Sequence, residues 1–195
     1  MDKTISIVVC GVGGQGILLS SDLISIAALE SGFDVKKSEV HGMAQRGGAV
    51  ISFVRFGKKV YSPLVEEGTA DFILAFEKAE ALRNSRYAKV SKDTIYIVND
   101  LEIIPTSVSL GYSKYPQEIE KKINEFSKKV YFVNALSIAK ELGEPRAANV
   151  VLIGVLSKFI EEIPNEMWIK AIRMRVPKKA IEVNIKAFEK GKSLV

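Results

Sequence analysis

Two glycine-rich blocks hold the residues of this chain that could do chemistry. The first, Cys10-Gly-Val-Gly-Gly-Gln-Gly-Ile17, directly follows the apolar run Ile5 to Val9. Glycine lacks a Cβ and admits left-handed backbone angles, so Gly11, Gly13, Gly14 and Gly16 leave their amides open to close approach. Amides at a helix start favour an anion, helped by the helix dipole. Gly11, Gly13, Gly14, Gln15 and Gly16 are therefore the candidate cofactor-binding residues. Their spacing, Gly11-x-Gly13-x-x-Gly16 between strand and helix, fits a dinucleotide fingerprint. Tight strand-to-helix packing and contact with a partner chain are competing readings of the same glycines. A nicotinamide site also wants an acidic residue about 20 positions on, for the ribose hydroxyls. Here the second strand is expected to end Val35-Lys36-Lys37-Ser38, with Asp34 inside it. Those lysines suit an extra phosphate or are solvated. No Gly-Lys-Ser/Thr follows the loop, which argues against an ATP-hydrolysing P-loop.

The second block runs Ser38-Glu-Val-His-Gly-Met-Ala-Gln-Arg-Gly-Gly48. It places Ser38, Glu39, His41, Gln45 and Arg46 after the second strand, at the end of the sheet where open α/β folds bind ligands. His41 is the single histidine. It titrates near neutrality and could move a proton, but a neutral hydrogen-bonding role at an interface is the favoured reading. Arg46 carries a fork of donors suited to carboxylate or phosphate. His41 and Arg46 are the only catalytic candidates. Mixed with Gly42, Met43, Gly47 and Gly48, the block suits a protein interface at least as well as a free active site. No metal site is expected, because one histidine, one cysteine and scattered carboxylates make no recognisable ligand set. Cys10, the lone cysteine, reads as a small buried residue and cannot hold an iron–sulfur cluster. There is no serine elbow and no Cys–His pair, and Glu66, Glu67, Glu77 and Glu80 do not pair as acid and base.

The elements that must position these blocks alternate. Strands are expected over Thr4–Cys10, Phe33–Lys37, Ala49–Phe56, Asp71–Phe76, Thr94–Val98 and Val130–Val133. Helices are expected over Ile17–Ser31, Glu77–Ser85, Gln117–Phe126, Ala135–Leu142 and Asn149–Ile163, the last stopped by Pro164. Two more, Glu166–Arg175 and Lys178–Lys190, end the chain. Leu101–Pro116 reads as connecting segment, and Lys59–Ser62 as a strand returning across Gly57-Lys58 in a hairpin. This alternation indicates an α/β fold: a Rossmann-like, mostly parallel sheet flanked by helices, with a small antiparallel insertion and a helical C-terminal tail. With 195 residues, 47% of them hydrophobic, the chain fits one domain, residues 1–195, the tail being 158–195 within it. The tail could pack on the sheet or reach toward a partner. The formal charge of +5 is modest, and its excess lies in the tail. It lacks the concentrated basic footprint that nucleic acid requires. No apolar stretch approaches a membrane span and no signal segment opens the chain, so a soluble cytoplasmic protein is expected.

On these residues the sequence resembles the 2-oxoacid:ferredoxin oxidoreductase gamma-domain family. The two blocks carry the likeness together. It continues through Arg55-Phe56, the Pro63 region, Glu67-Gly68-x-Ala70-Asp71, and the tail from Pro177-Lys-Lys to Asn184, Ala187-Phe and Gly191. Pyruvate and 2-oxoglutarate relatives tend to carry a Gly-Pro-Glu block here, whereas His41-Gly-Met-Ala-Gln-Arg-Gly47 looks like the indolepyruvate branch. The resemblance implies the beta (small) subunit of indolepyruvate:ferredoxin oxidoreductase, inactive alone. The complex would decarboxylate aryl pyruvates oxidatively to aryl-acetyl-CoA, with CoA as substrate and ferredoxin as electron acceptor. Thiamine diphosphate and [4Fe-4S] clusters would sit on the large (alpha) subunit, with no certain cofactor on this chain. His41, Gln45 and Arg46 would then face that subunit. Two other readings stay open: a free-standing nucleotide-binding reductase, and a non-catalytic regulatory interaction module.

Overall fold

The structure is a computed structural model that describes residues 4–41 and 48–195. Its centre is a six-stranded sheet in the order β2-β3-β1-β4-β5-β6. The strands are β1 (Ile5–Val12), β2 (Asp34–His41), β3 (Ala49–Gly57), β4 (Phe72–Ala75), β5 (Ile95–Asn99) and β6 (Lys129–Val133). β1, β4, β5 and β6 pair in parallel, and β3 runs antiparallel to both β1 and β2. Strands buried on both faces read as near-continuous apolar runs, which is what Phe72 to Ala75 and, apart from the buried Ser6, Ile5 to Cys10 supply. The mostly parallel α/β class expected from the sequence is the one observed.

The antiparallel element differs from the expected one. Lys59–Ser62 forms no returning strand. Its polar groups are met by side chains instead: Val60 N–H donates to Asp34 Oδ2 at 2.9 Å, and the Arg55 guanidinium donates to the carbonyls of Ser62 and Leu64 at 3.0 and 3.1 Å. The true insertion is β3, which wedges between β1 and β2 and pushes β2 to the sheet edge. β2 also runs four residues past Lys37, so Ser38 and Glu39 sit within a strand, opposite Phe53 and Ser52, and not in a loop.

Helices cover both faces. On one face lie α1 (Ile17–Glu30), α5 (Ala135–Glu141), α6 (Ala148–Ser157), α7 (Asn165–Arg175) and α8 (Ile181–Lys192). On the other lie α2 (Lys78–Arg83) and α4 (Ile119–Asn124), with a short α3 (Thr106–Ser109) in the expected connecting segment. α6 is apolar all round because it is sheathed all round: it packs on β5, α1, α5 and α8. It stops at Ser157, six residues before the expected end. Beyond it the chain tightens into three-residue turns, with Lys158, Phe159 and Ile160 amides bonding to Val155, Leu156 and Ser157 carbonyls, and this drives Ile160 and Ile163 into the core. The tail packs on the sheet layer. α8 crosses α6 so closely that a Cβ built at Gly154 would stand 2.1 Å from the Phe188 carbonyl oxygen, and one at Gly191 2.0 Å from that of Val151.

Candidate functional site

β1, β4 and β5 all end at one edge of the sheet, and the chain leaves β1 and β4 toward opposite faces. That divergence opens a crevice at the carboxyl ends, the usual ligand position of open α/β sheets. A cavity of about 470 Å³ occupies it, lined by Gly14, Gln15, Gly16, Asn99, Arg146 and Asn149 together with apolar side chains such as Leu19 and Phe76.

The glycine loop is shaped by its own side chain. Gln15 Oε1 accepts from the Val12 amide at 2.7 Å, and its Nε2 donates to the Phe76 carbonyl at 2.9 Å. Gln15 thus ties the loop to the end of β4, with its amide group spent on backbone. Gly11 lies in β1, where a Cβ would meet Gln15 Oε1 at 2.7 Å and Phe76 Cβ at 2.8 Å. Gly16 is the N-cap of α1 with φ 85°, and a Cβ there would stand 2.6 Å from Asn149 Nδ2. Among the described residues no side chain caps α1, so its first amides are open to whatever enters the crevice. Asn99 is structural: it donates to the Phe76 carbonyl and accepts from the Ala135 amide, each at 3.2 Å.

The second block meets the first at its far end. Gly13 N–H donates to the Gly48 carbonyl at 2.9 Å, and Val12 pairs with Ala49. His41 closes β2 opposite Val50 at the same sheet edge. Gly42, Met43, Gln45, Arg46 and Gly47 lie outside the described residues. Glu39 is engaged with Lys37 at 2.7 Å, and Lys37 in turn with Asp22 at 2.5 Å. Burial alone would raise the Asp22 carboxyl, but Lys37 and Arg175 outweigh it and hold the group below its ordinary range. Ser38 lends its carbonyl to Ser52 Oγ at 3.3 Å.

Arg146 and Asn149 are among the cavity residues that the sequence reading missed. They come 130 positions after the glycine loop, and only the packing of α6 against α1 brings them there. Pro145-Arg146 just ahead of a long apolar helix was the available signal. Cys10, near the end of β1, is shielded. Burial pushes the Cys10 thiol well up, and Glu80 and Glu77 add to the effect. Among the described residues no cluster of three or more His, Cys, Asp and Glu is placed to hold a metal.

The model of pyruvate ferredoxin/flavodoxin oxidoreductase matches residues 6–194. The chain belongs to that family. It is 46% identical to the indolepyruvate oxidoreductase subunit IorB of Thermococcus kodakarensis over 193 residues, 97% of this chain and 95% of that protein. Among solved structures, the gamma subunit of a keto/oxoacid ferredoxin oxidoreductase from Geobacter sulfurreducens superposes with a TM-score of 0.72 at 25% identity, covering 97% of this chain and 96% of that one. A 2-oxoglutarate:ferredoxin oxidoreductase from Magnetococcus marinus, solved with 2-oxoglutarate, coenzyme A and succinyl-CoA, superposes with a TM-score of 0.76 at 24% identity over all of this chain and 31% of that one. For this oxidoreductase family member, the fold also explains the missing ribose carboxylate. In a dinucleotide fold the second strand lies beside the first, whereas here β3 stands between them. The end of β2 is therefore about 10 Å from β1, two strand spacings away.

Proposed function

We propose that this chain is the small subunit of an indolepyruvate:ferredoxin oxidoreductase. The complex oxidatively decarboxylates aryl pyruvates to aryl-acetyl-CoA, with ferredoxin taking the electrons. One observation carries the reading: the Gly13–Gly48 hydrogen bond joins the two signature blocks at one sheet edge, in a chain 46% identical to a subunit named for indolepyruvate. Thiamine diphosphate and the [4Fe-4S] clusters belong to the large subunit and supply decarboxylation and electron transfer when bound there. The small subunit contributes an edge. Its crevice, with uncapped amides at the start of α1 and Arg146 on the opposite wall, suits the anionic end of a ligand such as CoA. The block from Ser38 to Gly48, with His41, Gln45 and Arg46, faces the large subunit. The chain works as one unit over 1–195, in the cytoplasm.

The test is ferredoxin reduction by the metal-loaded large subunit with and without this chain, CoA present, comparing indolepyruvate with pyruvate. Activity that needs both chains and prefers indolepyruvate is expected. Binding without any gain in turnover would leave a regulatory module instead. The free-standing reductase predicts a nicotinamide or flavin bound to the purified chain alone, against which the displaced β2 argues.

A further inference from the structure

Residues 101–116 leave β5 at the carboxyl edge and arch over α2 before reaching α4. Both feet of this strap are held by two adjacent residues. Glu77, which is 1% exposed, accepts at Oε1 from the Ile103 amide at 3.2 Å and from the Tyr115 hydroxyl. Lys78 reaches Asp100 at 2.6 Å, Glu102 at 3.6 Å and Glu120 at 3.4 Å. Burial, and then the Glu77 carboxylate, pushes the Tyr115 hydroxyl well up, so it stays a donor. Between the feet the strap stands alone. Among the described residues, the hydrogen bonds of 104–114 all stay within the strap, from Val108 N–H donating to the Pro105 carbonyl to Ser113 Oγ bonding Ser107 Oγ.

The strap then does something costly with its apolar side chains. Ile104, Leu110 and Tyr112 are 50, 62 and 83% exposed. A cavity of about 370 Å³ lies beneath, between Pro105, Val108 and Tyr115 on the strap and Ala79 and Leu82 on α2. Folding inward would bury the crest there, yet the crest faces out. A self-contained strap with apolar side chains held away from an available cavity has the form of a contact element.

We propose that this strap is a docking element for the large subunit, its crest of Ile104, Leu110 and Tyr112 seating in an apolar cleft rimmed by basic side chains. The partner rests on the function proposed above, because the strap shares the sheet edge with the glycine loop and Leu101 lines both the strap's first foot and the loop cavity. The basic rim follows from charge. Asp100, Glu102, Glu118 and Glu120 stand 46–65% exposed at the feet, while Lys78 among them is only 14% exposed. Lys114 and Lys121 offset only part of that charge.

The test measures affinity of the Leu110→Ser/Tyr112→Ser variant for the intact large subunit by calorimetry, with amide exchange on the wild-type complex. The variant should bind at least about tenfold more weakly, melt alone at the wild-type temperature, and the wild-type strap should gain protection on assembly. Tyr115→Phe, which removes one foot bond, should speed exchange across 104–113 in the free chain and weaken binding less. Equal affinity of the double variant, or a strap unprotected in the complex, overturns the docking role while leaving the functional reading standing. A wild-type chain that does not bind the large subunit overturns both.

Discussion

The Gly13 amide donates to the Gly48 carbonyl at 2.9 Å, so the loop that opens α1 and the block that begins at Ser38 share one backbone contact. Gly13 and Gly48 lie 35 positions apart in the chain. β3 makes the meeting possible, since by pairing with β1 it brings Ala49 opposite Val12 and Gly48 beside the loop. A ligand or partner that presses on one block therefore meets the other.

Arg46 lies two positions before Gly48 in the sequence, between Gln45 and the pair Gly47-Gly48. Replacing it with alanine should lower ferredoxin reduction by the reconstituted complex at least about tenfold, a loss of about 1.4 kcal/mol. A role confined to the complex leaves the isolated chain within about 0.5 kcal/mol of wild type in unfolding. Steady-state turnover beside urea unfolding separates the two effects. Wild-type assembly together with wild-type turnover would remove Arg46 from the function.

Gly16 carries two constraints that a single substitution exposes separately. Its φ of 85° costs an L-residue about 1–2 kcal/mol. A Cβ would also stand 2.6 Å from Asn149 Nδ2. Gly16→Ala should destabilise by about 2–3 kcal/mol. In the background of Asn149→Ala the same change should cost less, because the crowding atom is gone and only the backbone strain remains. A double-mutant cycle in urea reads the coupling. Strict additivity would mean that the two residues do not touch.

What the sequence made legible was local. The run Ile5 to Cys10, the glycines after it and the apolar periodicity of Ile17 to Ala27 each announce an element within a few residues. Alternation of such elements indicates a mostly parallel sheet. Strand neighbours are another matter, since the pattern of β3 is equally good beside β2 alone or between β2 and β1. Nothing local says that it wedges in. The end of β2 was misplaced for a related reason: Ser38, Glu39 and His41 are polar because an edge strand tolerates them, and polarity there reads as loop. Arg146 and Asn149 were silent because their meaning depends on α6 docking against α1.

Gly154 and Gly191 were silent in the same way, and they carry the next prediction. An apolar helix with one glycine looks like a helix with a weak spot. In the fold each glycine admits the backbone of the other helix, at 2.1 and 2.0 Å from where a Cβ would be. Backbone atoms cannot step aside as a side chain can, so alanine must drive α6 and α8 apart. Either Gly154→Ala or Gly191→Ala should cost about 3 kcal/mol or more. Denaturant unfolding reads that cost, and proteolysis should cut first within α8. A change below about 1 kcal/mol at both sites would refute the backbone-to-backbone contact.

Glu80 gives a stability effect whose sign depends on pH. It is 5% exposed on α2, near the Glu77 carboxylate and the Cys10 thiol, with Arg83 Nε at 3.2 Å. Burial pushes its carboxyl up, Arg83 opposes this, and Glu77 adds to it. A raised native value means that the folded chain binds its proton more tightly than the unfolded chain does. Stability from this group is therefore fully present below the unfolded value of about 4.3. It falls as pH rises through the native value. Glu80→Gln keeps the shape and removes the titration. Its stability relative to wild type should increase between about pH 4 and pH 7 and level off above the native value. Urea midpoints of both proteins across that range decide it. Parallel curves would show that Glu80 titrates in the fold as it does in the unfolded chain, and that its burial costs the ionised form nothing.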